Sequence, residues 1–161
     1  MQQRMVNVVF LAACLTFPAV AHAAATKISD PAKFVADVYA HYAKVKDYAP
    51  PTDVYSPRLA ALFALDTKEA GGEVGRIDFD PWTNAQDFQI SAVSVKAQPV
   101  DNTKDREIVV AKFKNIGKPE TILFYFEKAK SGWQLDDMQA PGGDQPWTLS
   151  VILKYGWYDG K

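Results

Sequence analysis

The spacing of the apolar residues in this 161-residue chain changes once, near residue 88, from a helical to an alternating pattern. Before that point the spacing predicts two helices, the first over residues 31–46. This helix follows Ser29 and Asp30, either of which can cap it, and it has Pro31 in its first turn. The second helix starts at Tyr55-Ser56-Pro57 and has two or three turns. The inward residues are, for the first helix, Phe34, Val35, Val38, Tyr39, Tyr42 and Val45 and, for the second, Leu59, Leu62 and Phe63.

After the glycine-rich break at residues 70–75, alternation from Phe88 onward predicts four strands. In the first strand, Val93 and Val95 are out of step with the alternation of Phe88, Ile90 and Ala92. This change indicates a bulge or a strand buried on both faces. The next two cover residues 108–116 and 120–128, joined by a hairpin, and the fourth covers residues 133–138. Their inward residues include Val109, Ala111, Phe113, Ile122, Phe124 and Phe126.

A short last helix is predicted near the C-terminus, with Gly156 at its end. Its inward residues are expected to be Trp147, Val151, Ile152 and Tyr155. The predicted fold class is therefore α+β: two N-terminal helices cover one face of a curved, antiparallel four-stranded sheet, and a short helix follows.

The N-terminal segment predicts export. Val8 to Val20 is an apolar run too short to span a bilayer easily, and it ends in Ala21-His22-Ala23. We therefore expect a signal peptide over residues 1–23, cleaved after Ala23, a single domain over residues 24–161, and a periplasmic or secreted protein. The alternative is a lipoprotein acylated at Cys14, because Leu11-Ala12-Ala13-Cys14 matches a lipobox.

Composition limits the partners. An apolar fraction of 48% with 23% charged residues is that of a globular protein, which argues against disorder. The 18 basic and 19 acidic side chains give a formal charge of −1, so nothing steers the chain toward nucleic acid or anionic lipid. The expected partner is a small molecule or a periplasmic protein, with no nucleic acid and no membrane span. Cys14 is the only cysteine, so the cleaved protein needs no disulfide.

Five aspartates could carry chemistry: Asp78, Asp80, Asp87, Asp136 and Asp137. Carboxylates brought together can share a proton, hold a hard cation or act as a general base. Aspartates beside turns more often bond loop amides, however, so we assign no catalytic residue and keep Asp137 and Asp87 as candidates. Strict alternation places Asp137 on the buried face of Trp133 and Leu135. It would need a partner there, which we expect to be loop amides or the segment around Gln86.

His41 is the third catalytic candidate and the only histidine after residue 23. It could pair with an aspartate as an acid–base dyad, but it lies at the edge of the predicted inward stripe. A zinc site needs three or four ligands, so we predict no metal site. The fingerprints of a serine nucleophile, a phosphate loop and a dinucleotide site are absent, and we predict no cofactor.

Aromatic side chains with a few polar groups are what a ligand site requires. The candidate ligand- or partner-binding residues are Trp82, Asp80, Asp87, Tyr125, Trp157 and Tyr158. Trp82 lies in a proline-containing loop, and Trp157 and Tyr158 follow the last helix, so these three are predicted to be exposed. Trp133, by contrast, is predicted to belong to the core.

Three segments, in this order, resemble the bacterial domain-of-unknown-function family 3828. They are Tyr55-Ser56-Pro57-Arg58-Leu59, Asp78-Phe79-Asp80-Pro81 with Ala85-Gln86-Asp87, and Gly132-Trp133-Gln134-Leu135-Asp136-Asp137-Met138. The resemblance covers roughly residues 31–155. It implies an exported or lipid-anchored protein with a nuclear-transport-factor-2-like fold, in which helices wrap a bent sheet into a cone with an open mouth. That family has no established activity, so it supplies no catalytic residue.

The function that we expect is a non-catalytic module that binds a small ligand or a protein partner. One alternative is a small acid–base isomerase, dehydratase or hydrolase that uses Asp137 or Asp87 in the cone. Another is an inhibitor or immunity-type protein. A buried carboxylate facing an apolar cavity would favour the enzyme, whereas a filled cone with an exposed patch of Trp82 and Trp157 would favour the partner binder.

Overall fold

A computed structural model of the protein describes residues 26–157. The predicted signal peptide over residues 1–23, the alternative acylation site Cys14 and the candidate Tyr158 lie outside these residues. The elements, in chain order, are α1 (Pro31–Tyr42), α2 (Pro57–Ala70), β1 (Ile90–Pro99), β2 (Arg106–Asn115), β3 (Lys118–Ala129), β4 (Gly132–Ala140), β5 (Trp147–Thr148) and α3 (Leu149–Tyr155).

The predicted α+β class is confirmed, with one strand more than expected. The strands form an open antiparallel sheet in the order β1-β2-β3-β4-β5. Strand β5 has only two residues, which is too short to leave an alternating pattern in the sequence. Within residues 26–157, no helix is both long enough and apolar enough to cross a membrane.

Helix α1 begins as predicted and ends earlier. The Asp30 side chain caps it by accepting a hydrogen bond from the Lys33 amide at 2.9 Å. The helix ends at Tyr42 rather than at residue 46, because Tyr48 folds back onto its last turn and packs edge-on against the Tyr42 ring. Val45, expected in the inward stripe, is therefore 46% exposed.

Helix α2 is longer than predicted: it runs for 14 residues and ends at the expected glycine-rich break. Gly71 follows it with φ of 60°, a left-handed conformation that glycine adopts without strain.

Strand β1 is the exposed edge of the sheet, and it carries the predicted bulge. Its register with β2 shifts between Ser91 and Ser94, and Ala92 lies in the bulge with φ of 52°. The alternative, a strand buried on both faces, is wrong, because β1 has a neighbour on one side only and most of its side chains are exposed.

The core lies between the inner face of the sheet and the helices, as alternation predicted for β2 and β3. The buried sheet residues include Val109, Ala111, Phe113, Ile122, Phe124, Phe126, Leu135 and Met138. Helix α1 covers them with Val35, Val38, Tyr39 and Tyr42. Burial of large apolar side chains on this one face is the main favourable contribution to the stability of the domain.

Helix α3 buries a different face from the one predicted. Trp147 and Thr148 pair with Ala140 and Gln139 as strand β5, so the helix begins only at Leu149. Its buried residues are Leu149, Ile152 and Leu153. Val151 and Tyr155, expected to point inward, are 47% and 71% exposed. Gly156 follows the helix as predicted.

Candidate functional site

A cleft of about 550 Å³ lies between the α1–α2 connection, helix α2 and the segment after α2. We call it the aromatic cleft, because much of its wall consists of the rings of Tyr48, Tyr55, Phe63, Phe79 and Trp82. Tyr55 and Phe63 stack with their ring centroids 5.2 Å apart and an interplanar angle of 12°. The carboxylates of Asp66, Glu73 and Asp80 also line it.

Residues 78–87, which we call the site loop, supply Asp80 and Trp82 to the cleft. The loop closes on itself because the Asp80 amide donates to the Ala85 carbonyl at 2.9 Å. The Asp80 carboxylate also accepts a hydrogen bond from the Trp82 amide at 2.9 Å, which is the local turn typical of aspartate. Asn84 adopts φ of 55°, which asparagine tolerates better than most residues.

Side chains from several elements fix the site loop to the rest of the fold. From α1, the Tyr39 hydroxyl donates to the Trp82 carbonyl at 2.7 Å. From β2, the buried Asn115 amide donates to the Thr83 carbonyl at 3.1 Å. From β5, the indole of Trp147 donates to the Asn84 side chain of the same loop at 2.7 Å. The loop is therefore a fixed part of the fold.

Trp82 is buried, so the prediction of an exposed tryptophan is wrong. Only 2% of the residue is exposed. The site loop folds over the inner face of the sheet, where the Trp82 ring packs 4.6 Å from Phe124 and 6.1 Å from Phe34 between ring centroids. Its indole nitrogen is buried and makes no well-formed hydrogen bond among residues 26–157, although the Tyr55 hydroxyl lies close enough for a hydrogen bond from the indole to lower the pKa of Tyr55.

Asp80 is a partly buried carboxylate held by neutral donors. The Tyr42 hydroxyl donates to it at 2.5 Å, opposite the bond from the Trp82 amide. Burial raises the pKa of Asp80, and the hydrogen bonds from Tyr42, Trp82 and Thr83 offset part of that rise. Within residues 26–157, no Lys, Arg or His side chain lies within ion-pair distance of it.

The Tyr55 hydroxyl lies near both polar groups of the site loop. Burial raises the pKa of Tyr55, a hydrogen bond from the Trp82 indole lowers it in part, and the Asp80 carboxylate raises it further. Burial likewise raises the pKa of Tyr42, and its hydrogen bond to Asp80 raises it more. The cleft thus has a phenol and a carboxylate among its aromatic walls.

A second group of polar side chains, which we call the Arg58 cluster, lies where β4 meets α2 and α3. It consists of Arg58, Asp136 and Asp137 with Ser56 and Ser150. The Arg58 guanidinium donates to both oxygens of the Asp136 carboxylate, at 3.0 Å and 2.9 Å, and the Ser56 hydroxyl donates to the same carboxylate at 2.6 Å. Burial works to raise the pKa of Asp136, but the hydrogen bonds from Arg58 and Ser56 outweigh it, and the net pKa lies below its ordinary value.

Asp137 bonds to the start of helix α3. Its carboxylate accepts from the Ser150 amide at 3.0 Å and from the Ser150 hydroxyl at 2.5 Å. Thr148, the residue at the N-terminal cap position, makes no capping bond with its side chain. Asp137 therefore caps α3 from β4, and its charge suits a helix N-terminus.

The predicted orientation of Asp137 is wrong. The register between β3 and β4 shifts by one residue, so Leu135 pairs with Phe126 whereas Asp137 pairs with Tyr125. Because an extra residue in a strand reverses the faces beyond it, Asp137 lies on the face opposite Leu135. Its partner is Ser150 rather than the segment around Gln86, whose side chain donates to the Asp78 carbonyl.

Tyr125, a predicted ligand contact, belongs to this outer face. Its hydroxyl donates to the Gln139 side chain at 2.6 Å, in a shallow groove of about 380 Å³ beside the Arg58 cluster. Arg106 also lines this groove, so two guanidinium groups stand near the two carboxylates of the cluster. With its charges matched and its acceptors bonded, the Arg58 cluster is suited to holding α2, β4 and α3 together.

The structure does not bring the other catalytic candidates into the aromatic cleft. Asp87 is exposed, and its backbone carbonyl accepts a hydrogen bond from the Asn115 side chain at 3.3 Å. His41 is exposed and stacks on Tyr48 with ring centroids 5.1 Å apart. Its Nδ1 lies 2.7 Å from the carbonyl oxygen of Asp37 and not beside a carboxylate. The predicted dyad is therefore not formed.

Trp157 is 37% exposed, as predicted, and its ring centroid lies 5.5 Å from that of Phe79. It borders a groove of about 530 Å³ between α3 and the residues before β5. Trp133, predicted as core, is partly buried and packs against the core from its edge.

Sequence reasoning missed three residues of these sites. Tyr42 was expected only to fill the core, and Tyr55 and Arg58 were noted only as part of a family-like segment. The hydroxyl of Tyr42 meets a carboxylate 38 positions away, and the guanidinium of Arg58 meets one 78 positions away. The Tyr-Ser-Pro-Arg segment was the one available signal, since it places a tyrosine and an arginine beside a helix start.

Comparisons of the chain with protein-family models, curated proteins and solved structures found no match. Within residues 26–157, no three His, Cys, Asp or Glu side chains are grouped closely enough to hold a metal ion.

Proposed function

We propose that this chain is a non-catalytic binding module and that its aromatic cleft takes a small organic molecule. The observation that carries the proposal is the aromatic cleft itself, whose rings surround the partly buried Asp80 carboxylate, a group with no Lys, Arg or His within ion-pair distance among residues 26–157. A cleft of about 550 Å³ with aromatic walls and few polar groups is of the size and chemistry of small-molecule sites.

The setting that we propose is the periplasm, with the signal peptide of residues 1–23 removed. We also propose that the domain belongs with family 3828 and has its nuclear-transport-factor-2-like cone. Helix α1 and the site loop on the inner face of one antiparallel sheet support that arrangement. In such a cone Trp82 and Tyr39 would fill the interior, and the aromatic cleft would be its mouth.

The test is a ligand-observed NMR screen with fragments of neutral, anionic and cationic types. Two variants report on the cleft. Trp82→Phe replaces one lining ring of the cleft by a smaller one, and Ala49→Trp fills the cleft from an exposed lining position. Trp157→Phe, outside the cleft lining, is the matched control. We expect fragments to bind the wild-type protein and the control, and to lose binding in both cleft variants.

If no fragment of any charge depends on the cleft, the proposal is wrong. Because Trp82 packs in the core, the melting temperature of Trp82→Phe must be measured first. Ala49→Trp does not carry that risk, and it alone can decide the outcome.

A second candidate is the acid–base enzyme, which would now rest on Asp80 because Asp137 and Asp87 lie outside the cleft lining. The raised pKa of Asp80 in an aromatic cleft favours it. Against it, the Asp80 carboxylate already accepts bonds from Tyr42 and Trp82. Mass spectrometry of bound fragments after long incubation separates the two: a binding module returns them unchanged, whereas an enzyme converts them and loses that activity in Asp80→Asn.

A further inference from the structure

We infer that the ligand of the aromatic cleft is an organic ammonium cation. This inference rests on the proposed function, because it names the chemical class of ligand for the same site. It follows from the charge of the lining, the surroundings of Asp80 and the aromatic walls.

The charge of the cleft has one sign. Among the described residues that line it are three carboxylates, Asp66, Glu73 and Asp80, and no Lys, Arg or His. The charge of Asp66 is compensated by Arg76, which forms an ion pair with it at 3.0 Å. The backbone amide of Arg76 also donates to the same carboxylate. Glu73 is exposed. The remaining carboxylate, Asp80, therefore sets the preference of the cleft.

Asp80 has no cation within ion-pair distance among residues 26–157. Its hydrogen bonds come from neutral donors, among them the Tyr42 hydroxyl and the Trp82 backbone amide. A carboxylate withdrawn from water without a countercharge is costly, and buried charges in proteins are normally paired. By contrast, Asp66, Asp136 and Asp137 each lie within 4 Å of a guanidinium group. A ligand with a positive charge would supply to Asp80 the partner that the fold gives to those three.

The aromatic walls favour the same charge. The face of an aromatic ring attracts cations, and cages of such rings recognise quaternary ammonium groups. Elsewhere in the described structure the protein's own lysines occupy ring faces: Lys128 lies 5.4 Å from the Trp133 centroid, and Lys154 lies 4.9 Å from that of Tyr155. The rings of the cleft hold no lysine or arginine of residues 26–157 in this way.

The experiment measures the affinity of charged and uncharged probes by calorimetry at low salt. Choline and benzyltrimethylammonium are the cations, 3,3-dimethylbutan-1-ol is the uncharged isostere of choline, and benzoate is the anion. We expect choline to bind about tenfold more tightly than its isostere. This ratio corresponds to a gain of about 1.4 kcal/mol from cation–π contacts and the ion pair with Asp80. Benzoate should not bind.

Asp80→Asn should remove the preference for choline over its isostere. The matched control is Asp78→Asn, an exposed carboxylate of the same loop that is not part of the cleft lining. Choline keeps its charge at every pH, so its affinity should fall as the pH drops and Asp80 takes up a proton. Asp80→Asn should lose that pH dependence, whereas Asp78→Asn should keep it.

The outcomes separate the two proposals. If the isostere binds in the cleft as tightly as choline, the cation inference is wrong and the binding module stands. The same holds if benzoate is preferred, or if the preference for choline survives in Asp80→Asn. If no probe binds in a way that Ala49→Trp abolishes, the binding module itself loses its support.

Discussion

Two groups of aspartates in this protein are held in opposite ways. In the Arg58 cluster, Asp136 is bonded to a guanidinium and a serine hydroxyl, and Asp137 to the amide and hydroxyl that begin α3. In the aromatic cleft, Asp80 has only neutral donors and no cation within ion-pair distance among residues 26–157. The pKa of Asp136 lies below the ordinary value of an aspartate, whereas the pKa of Asp80 lies above it.

The difference teaches where to look for function. Compensated charges join elements to one another, and the fold loses stability when one partner of such a pair is removed. An uncompensated carboxylate in a cleft raises that free energy, and proteins retain such groups mainly where a ligand or a reaction uses them. The aspartates that looked most promising in the sequence, the adjacent pair at positions 136 and 137, thus belong to the scaffold.

The largest expected effect is the loss of the Asp137 acceptor. Asp137→Ala leaves the Ser150 amide and hydroxyl without their partner and removes the cap of α3. We expect the free energy of unfolding to fall by about 1–3 kcal/mol, the usual cost of stranding buried donors. Thermal or urea unfolding measures this directly.

Asp137→Asn is the matched variant, since it keeps the shape and one acceptor oxygen. It should cost less than the alanine change. An Asp137→Asn protein more stable than wild type would place Asp137 with Asp80 as a strained site residue, and would remove the contrast between the two groups.

A smaller effect is expected from the guanidinium of the cluster. Arg58→Gln withdraws the cation shared by Asp136 and Asp137, but Arg58 is half exposed, so solvent screens part of the interaction. We expect a loss of about 1 kcal/mol in the free energy of unfolding. Lys33→Gln, which breaks the exposed Lys33–Asp37 pair on α1, is the control and should cost about 0.3–0.5 kcal/mol. Equal losses would mean that the cluster is no more than a surface ion pair.

Much of the fold could be predicted from the sequence because its core residues lie in regular patterns. The inward residues of β2 and β3 alternate without interruption, and their burial is as expected. The bulge in β1 was also visible, because the apolar residues Val93 and Val95 are out of step with the preceding Ile90 and Ala92. Regular periodicity records burial directly, so it needs no knowledge of the rest of the chain.

The sites could be predicted only in part, because they depend on how elements meet. Asp80 and Trp82 were both candidates, but nothing local shows that a proline-containing loop folds over the inner face of the sheet. The bulge in β4 lies at Asp136, and the odd spacing of the apolar Leu135 and Met138 was its signal; strict alternation ignored that spacing, so the face of Asp137 was mistaken. The pairing of Tyr42 with Asp80 needs the three-dimensional packing of α1 on the site loop.

The pH dependence of stability should have opposite signs at the two groups. The folded-state pKa of Asp136 is lowered, so its contribution is present above its ordinary pKa and is lost as the pH falls through the folded value. The pKa of Asp80 is raised, so its contribution is present below the ordinary value and is lost as the pH rises through the folded value.

Unfolding of Asp136→Asn and of wild type between pH 3 and pH 7 tests this. We expect a cost of about 0.5–1 kcal/mol near neutrality that decreases as the pH falls toward 3. A cost independent of pH would mean that the Asp136 charge does not act through the Arg58 guanidinium.

The smallest effect in free energy, and the sharpest test of the contrast, is expected for Asp80→Asn. The asparagine oxygen can keep the bond from the Trp82 amide, and its NH₂ group can donate to the Tyr42 hydroxyl oxygen, so no hydrogen bond need be lost. The uncompensated charge disappears at the same time. The free energy of unfolding at neutral pH should therefore be unchanged or rise by up to about 1 kcal/mol, and this gain should fade in acid, where the wild-type carboxyl is itself neutral. Asp80→Ala provides the matched comparison: it also removes the charge but strands the Trp82 amide, and should cost about 1 kcal/mol. A loss of more than about 1 kcal/mol in Asp80→Asn would show that Asp80 stabilises the fold as Asp137 does, and the aromatic cleft would then have no strained group to offer a ligand.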